Sequence, residues 1–215
     1  MGILKLNGIK IMVIICITIC IADFIVLFVL GNYYPGYSQL KNTISSLGAT
    51  ISPVSNLISA WWIFIGIVFI FFGIIFRKAF YENPKSSKLA SVLIMLYGIG
   101  EGIGSGLFKA DRIRGEMKPS FIAHDIAGGI GLIAALLLPL VMQKVIEKEK
   151  YSRFGLFSKI IFFIGLITIA LFTIRFSAQR SWIFDRGLWQ RLFLLNLYVY
   201  LIAISVIIYN KKNRI

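Results

Sequence analysis

The chain has 215 residues, 58% of them hydrophobic and only 15% charged, with a mean hydropathy of +0.85. A soluble domain carries roughly 45–50% apolar residues and about a quarter charged, so an ordinary globular domain is excluded. The net charge of +14 does not point to nucleic acid, because the basic residues sit between apolar blocks rather than along one amphipathic face; a membrane surface and an orientation signal account for it.

A helix needs about 20 apolar residues to cross a bilayer. Six blocks meet that length, at about 11–30, 57–76, 89–108, 121–142, 160–176 and 188–209. They predict an all-α fold, a six-transmembrane-helix bundle forming one integral membrane domain over residues 1–215. The first block follows Lys5 and Lys10 and is longer than the h-region of a cleavable signal, about 7–15 residues, so it reads as an uncleaved span. Cys16 and Cys20 lie inside it at i,i+4 spacing and read as small apolar groups facing lipid or core. Asp23 falls toward its far end.

Gly31–Asn56 is the longest polar connection. Within it Leu40, Ile44 and Leu47 share one helical face between Ser38 as N-cap and Gly48 as C′ residue, predicting a short interfacial helix. Pro35-Gly36 and Ser52-Pro53 flank it as turns. The second span carries the pair Trp61-Trp62, a membrane-interface signal, and ends at the basic turn Arg77, Lys78, Lys85, Lys88. The fourth span follows Pro119-Ser120, and a second basic turn, Lys144–Lys159, precedes the fifth. Counting Lys and Arg gives fourteen on the side of the termini against nine on the other. The positive-inside rule therefore puts both termini in the cytoplasm and the protein in the plasma membrane as a multi-pass component.

On this topology Asp23, Glu101, His124, Asp125, Arg175 and Arg191 all fall in the outer halves of their spans or at the outer helix ends. Glu101 lies roughly 10 Å deep, at 1.5 Å per residue from its helix end. Buried membrane charges are costly and face a bundle interior or water, usually paired. The pattern predicts an outward-facing polar pocket where Asp23 and Glu101 meet Arg175 and Arg191, or structural ion pairs that only fix helix packing. Lys109, Arg112, Arg114, Lys118, Arg180 and Arg186 add positive charge nearby. Because arginine forks suit phosphate and carboxylate, the expected ligand is an anionic lipid head group or a small anion.

Gly98, Gly102 and Gly106 stand four apart on one helix face, and Gly100 with Gly104 form a second stripe. Such stripes let helices pack closely, or mark a helix that bends or unwinds near Glu101 and opens a site. His124-Asp125 opens the fourth span; adjacent helical residues point about 100° apart, so they are not by position alone a dyad. An enzyme acting on a lipid head group would use Glu101 or His124 for proton transfer and Arg191 to hold phosphate. A small-solute transporter would need matching polar residues in the inner halves of the spans, which hold no ionisable residue beyond boundary ones. Whether the chain is an enzyme stays open at this stage. A lone histidine with no CxxC pair calls for no metal, and no motif asks for a cofactor; the expected partners are membrane lipids, not nucleic acid.

Two stretches, YYPGYSQLKNTISSLGATISP (Tyr33–Pro53) and RGLWQRLFLLNLYVYL (Arg186–Leu201), resemble domain-of-unknown-function family 998, multi-span prokaryotic membrane proteins without an assigned activity. GIGSGLFKAD (Gly102–Asp111) fits the same pattern loosely. Members often carry Pro-Cys-Asp at its end, where this chain has Lys109-Ala110-Asp111. The resemblance therefore implies that any extracytoplasmic disulfide of those members is absent here. It also brings Tyr34, Pro35, Gly36, Tyr37, Ser38 and Asn42, with Gln190 and Arg191, among the pocket candidates, beside Asp111 and Asp125.

Overall fold

The computed structural model describes residues 2–111, 118–146, 151–173 and 185–212. Among them there is no strand, and six helices are long and apolar enough to cross a membrane. They are α1 (Gly2–Asn32), α2 (Ser55–Ala79), α3 (Pro84–Leu107), α4 (Pro119–Met142), α5 (Phe154–Thr173) and α6 (Arg186–Lys212). The predicted spans fall inside these helices except for a few terminal residues, and most helices run on past the apolar block. Lys and Arg at the ends carry long aliphatic stems that extend a helix beyond the hydrocarbon without cost. Pro84 and Pro119 each open their helix at the first turn, where the missing N–H would be unsatisfied anyway.

Each helix packs against its neighbours in sequence, and α6 closes the ring against α1. The interior is apolar and aromatic, with Phe69, Phe72, Phe76, Leu138, Tyr198 and Tyr200 almost wholly buried. Cys16 and Cys20 belong to that interior as free thiols. Large apolar side chains such as Ile11, Ile25, Phe64, Phe71, Ile133 and Phe163 stay exposed around the outside, which suits a surface solvated by lipid rather than water.

The glycines of α3 explain the tightest contacts. A Cβ on Gly98, Gly102 or Gly106 would run into α2, at Gly66 or the carbonyl of Ser59, and one on Gly100 or Gly104 into α4, at Ala127 or Gly131. Both stripes are packing surfaces, turned to two different neighbours. Between Gly98 and Gly104 the helix is also widened into a π-helical stretch, a feature that recurs at functional sites. Thus α3 is close-packed and locally unwound at once.

The interfacial helix predicted from Ser38 to Leu47 does not form. Only a single 3₁₀ turn, Ile44–Gly48, is present; Ile44 and Leu47 point into the bundle while Leu40 is about half exposed. The reason is competition for the backbone. Asn42 Oδ1 accepts from the Ser38 amide at 2.8 Å, the Leu188 amide donates to the Leu40 carbonyl at 2.8 Å, and the Ile44 amide donates to Gln190 Oε1 at 2.7 Å. These bonds occupy groups that a helix from Ser38 would need. Gly36 turns the chain at φ 74°, where glycine pays no steric penalty.

Candidate functional site

Asp23, Glu101, His124 and Arg191, which enter the bundle, gather at the end opposite the termini. Asp23, on α1, is buried. Its carboxylate accepts a hydrogen bond from Trp61 Nε1 on α2 at 2.7 Å and another from the Tyr198 hydroxyl on α6 at 2.7 Å. Tyr97 of α3 lies within 3.5 Å of that same hydroxyl. Two neighbouring helices therefore hold the acid through neutral donors, and α3 backs one of them. Among the described residues no arginine pairs with it.

Glu101 lies in the widened stretch of α3, and the two glycines opposite it on α4 make room for it. A Cβ on Gly128 would come to 3.3 Å from Glu101 Oε1, and one on Gly131 to 2.9 Å from its Cγ. Among the described residues its carboxylate takes no hydrogen bond and no ion pair. Instead it borders open space on two sides. One side is a small cavity of about 40 Å³ that includes Asp23, Tyr97, Ser105, Tyr198, Trp62 and Phe69 in its wall. The other is a cleft of about 260 Å³, open at its mouth, lined by Ser45, His124, Asp125, Gly129, Thr173 and Arg186 among others. Glu101, Leu132, Ser45 and Gln190 line both, so the two spaces adjoin along them.

Of the cations predicted to complete an anion site, Arg191 and Lys109 face elsewhere. Arg191 is buried and donates Nη1 to the carbonyls of Asn42 (3.1 Å) and Gly187 (3.0 Å), and Nη2 to Tyr37 Oη (2.5 Å) and Gln39 Oε1 (2.6 Å). Its guanidinium clamps the loop after α1 onto α6. Lys109 turns back onto the start of α2, donating to Ser55 Oγ at 2.8 Å and Ser59 Oγ at 3.1 Å. Arg186 reaches the cleft, lying 4.8 Å from the Phe172 ring and donating Nε to the Phe172 carbonyl. Arg175, Arg180, Arg112 and Arg114 lie outside the described residues. The predicted meeting of Asp23 and Glu101 with Arg191 is thus corrected: loop carbonyls and side-chain oxygens outcompete distant acids for a fork-shaped donor.

The remaining candidates separate in the same way. Tyr34 and Tyr37 stack on each other at 5.7 Å, and the Tyr37 hydroxyl also donates to the Thr43 carbonyl at 3.2 Å. Burial pushes the Tyr37 hydroxyl above its ordinary pKa despite the opposing pull of Arg191, which suits a neutral group that donates and accepts. Ser38 and Asn42 serve the loop's own turn. Asp111 accepts from the Thr50 amide and hydroxyl, both at 2.7 Å. Burial alone would raise its pKa, but those bonds, with Lys118 and Lys109 nearby, hold it below the usual carboxylate value. His124 Nδ1 pairs with the Phe108 carbonyl at 2.9 Å, satisfying a carbonyl orphaned at the end of α3. His124 and Asp125 line the cleft and not the inner cavity, and Gln190 lines both while holding the Ile44 amide.

Sequence reasoning missed Trp61, Tyr97, Tyr198 and Gln39. Trp61-Trp62 read as a membrane-interface pair, whereas Trp61 serves Asp23 and Trp62 is buried against the cavity. Tyr97 and Ser105 had a usable signal, standing four residues before and after Glu101 on one face; Tyr198 had none, since the pairing of α6 with α1 is not local.

The family model described as Protein of unknown function (DUF998) matches residues 17–207, and the chain belongs to that family. Neither a curated protein nor a solved structure matches it.

Proposed function

We propose that this DUF998 member is a multi-pass plasma-membrane binding protein, with both termini cytoplasmic, whose acidic cavity takes a small ammonium-bearing group from the outer side. The observation that carries this reading is the pair Asp23 and Glu101. Both are carboxylates on membrane-spanning helices, both line one aromatic-walled cavity, and neither is paired with a cation among the described residues. Charges in a membrane interior are tolerated when matched by an opposite charge, and aromatic faces such as Phe69 and Trp62 attract cations. This reverses the sign of the ligand expected from the cation count. The anion reading needed arginines aimed inward, and Arg191 is spent on the loop.

The ammonium group could belong to a phospholipid head group or to a free amine. A lipid fits the second space, where Arg186 and Glu101 line the same cleft. Catalysis on such a head group would fall to Glu101 and His124, which share that cleft, with no transfer of the Arg191 role.

The test is binding in nanodiscs by calorimetry, with ethanolamine, an ethanolamine phospholipid and a glycerol phospholipid of equal chain length, each followed for chemical turnover. Glu101→Gln is nearly isosteric and is expected to weaken the ammonium ligands about tenfold or more while the thermal midpoint holds. Binding of free ethanolamine as tight as its lipid would make the lipid dispensable. Preference for the glycerol phospholipid, or ammonium binding indifferent to Glu101→Gln in a folded protein, would refute the reading.

A further inference from the structure

At the end of the bundle that carries the termini, α3 and α4 border an open groove of about 330 Å³ lined by Lys85, Ser86, Leu89, Leu140, Val141 and Lys144. We infer that this groove is a binding site for one anionic phospholipid, with the phosphate between Lys85 and Lys144 and an acyl chain laid between the helices. The site is separate from the acidic cavity and does not depend on its reading.

Three observations converge on it. Lys85 stands at the start of α3 and Lys144 in the turn after α4, yet they bracket the same space, and both side chains are exposed. The entry to α3 is tied to the Lys144 backbone: Asn83 Nδ2, one residue before α3, donates to the Lys144 carbonyl at 2.5 Å. The positions of the two ammonium stems are thereby coupled rather than left to two independent chains. Ser86 adds a hydroxyl at the head-group level.

Below the lysines the walls turn apolar in the direction of the membrane. Leu89 is 50% exposed and Leu140 38% exposed, at the top of two helix faces that remain open along their length. On α3 the face continues through Val92 and Leu96 to Ile99, and on α4 through Leu137 and Ile133 to Ile130. The close approach of Gly100 to Gly131 brings α3 and α4 together beneath the groove, so the two apolar faces border one furrow. A free phosphate or a soluble anion would use the lysines and leave this furrow idle. A phospholipid uses both, and basic groups near a membrane surface each favour anionic lipid measurably.

The experiment is native mass spectrometry of the full chain released from nanodiscs containing equal phosphatidylglycerol and phosphatidylcholine of one chain length. Wild type is expected to retain one phosphatidylglycerol in preference. Lys85→Gln with Lys144→Gln should reduce that retention about thirtyfold. Arg77→Gln with Lys78→Gln removes the same charge from exposed positions at the same end outside the groove, and should leave retention unchanged. All four positions are exposed, and thermal midpoints check that both variants fold. Equal loss in the two variants would reduce the effect to general surface charge and overturn the site. Absence of any preference for phosphatidylglycerol would do the same, as would displacement of the lipid by millimolar inorganic phosphate.

Discussion

Replacing Arg191 by alanine separates a loop clamp from a ligand-binding arginine. The guanidinium makes four hydrogen bonds, three of them to the loop after α1. A hydrogen bond from a charged group contributes about 1.5–3 kcal/mol, and the net loss shrinks where the abandoned acceptor can rehydrate. Tyr37 and Gln39 are only half-buried and Asn42 is exposed, so water recovers part of each bond. The expected cost is about 2–4 kcal/mol, concentrated on the loop rather than on the six-helix core. Hydrogen exchange reads this directly: the Asn42 and Ile44 amides, bonded to the Ser38 carbonyl and to Gln190 Oε1, should lose protection by about thirtyfold or more, while amides of α2 and α3 hold theirs. Arg191→Lys should restore little of it, because a point ammonium cannot serve two pairs of acceptors in one plane. A folded Arg191→Ala protein with full loop protection and lost ligand binding would refute the clamp and return Arg191 to the ligand.

Three further outcomes follow from the packing and charges. Tyr198→Phe removes one of two donors to the Asp23 carboxylate and should cost about 1.5–3 kcal/mol, read as a lowered thermal midpoint; no change would mean that the bond is idle. Gly102→Ala sets a methyl against the Gly66 backbone, which cannot turn aside, and should cost about 1–3 kcal/mol or more, whereas Gly129→Ala meets nothing within 4 Å and should be tolerated; equal effects would undo the stripe argument. Asp111 has a lowered pKa in the folded chain, so its stabilising bonds to Thr50 are fully present above the unfolded value of about 3.9. They are lost as pH falls through the lower folded value. Protection of the Thr50 amide should fall in that acid range in wild type, and Asp111→Asn should flatten the profile.

The six spans, the family and the crowding of polar residues at one end were legible because each rests on local signals: block length, short quoted stretches and spacing within one helix. What failed depended on partners far apart in sequence. Arg191 chooses between acids on α1 and α3 and oxygens of the loop, and only the closing contact of α6 on α1 decides it. The Ser38–Leu47 periodicity was real, yet Gln190 and Leu188 took the backbone groups that a helix would have used. The count of cations said how much positive charge lay nearby and nothing of its direction.

One part of the site was written in the sequence at a period not usually sought. From Tyr97 to Leu107 every face of α3 repeats at four residues. Tyr97, Glu101 and Ser105 line the cavity; Gly98, Gly102 and Gly106 meet α2; Ile99 and Leu107 are exposed outward; Gly100 and Gly104 meet α4. In a regular helix of 3.6 residues per turn, a four-residue stripe drifts about 40° at each repeat, and after two repeats it would have left its partner. The widened stretch Gly98–Gly104, whose bonds run from i to i+5, winds the other way relative to that drift and keeps the stripes aligned. The π-helical turn is therefore a consequence of asking one helix to hold glycine contacts on two sides at once. Glu101 faces the cavity because the glycines beside it fix the two flanking faces, leaving the remaining two to lipid and to the interior. An acid on the lipid face would be untenable, so the same winding that packs α3 decides where its charge must go.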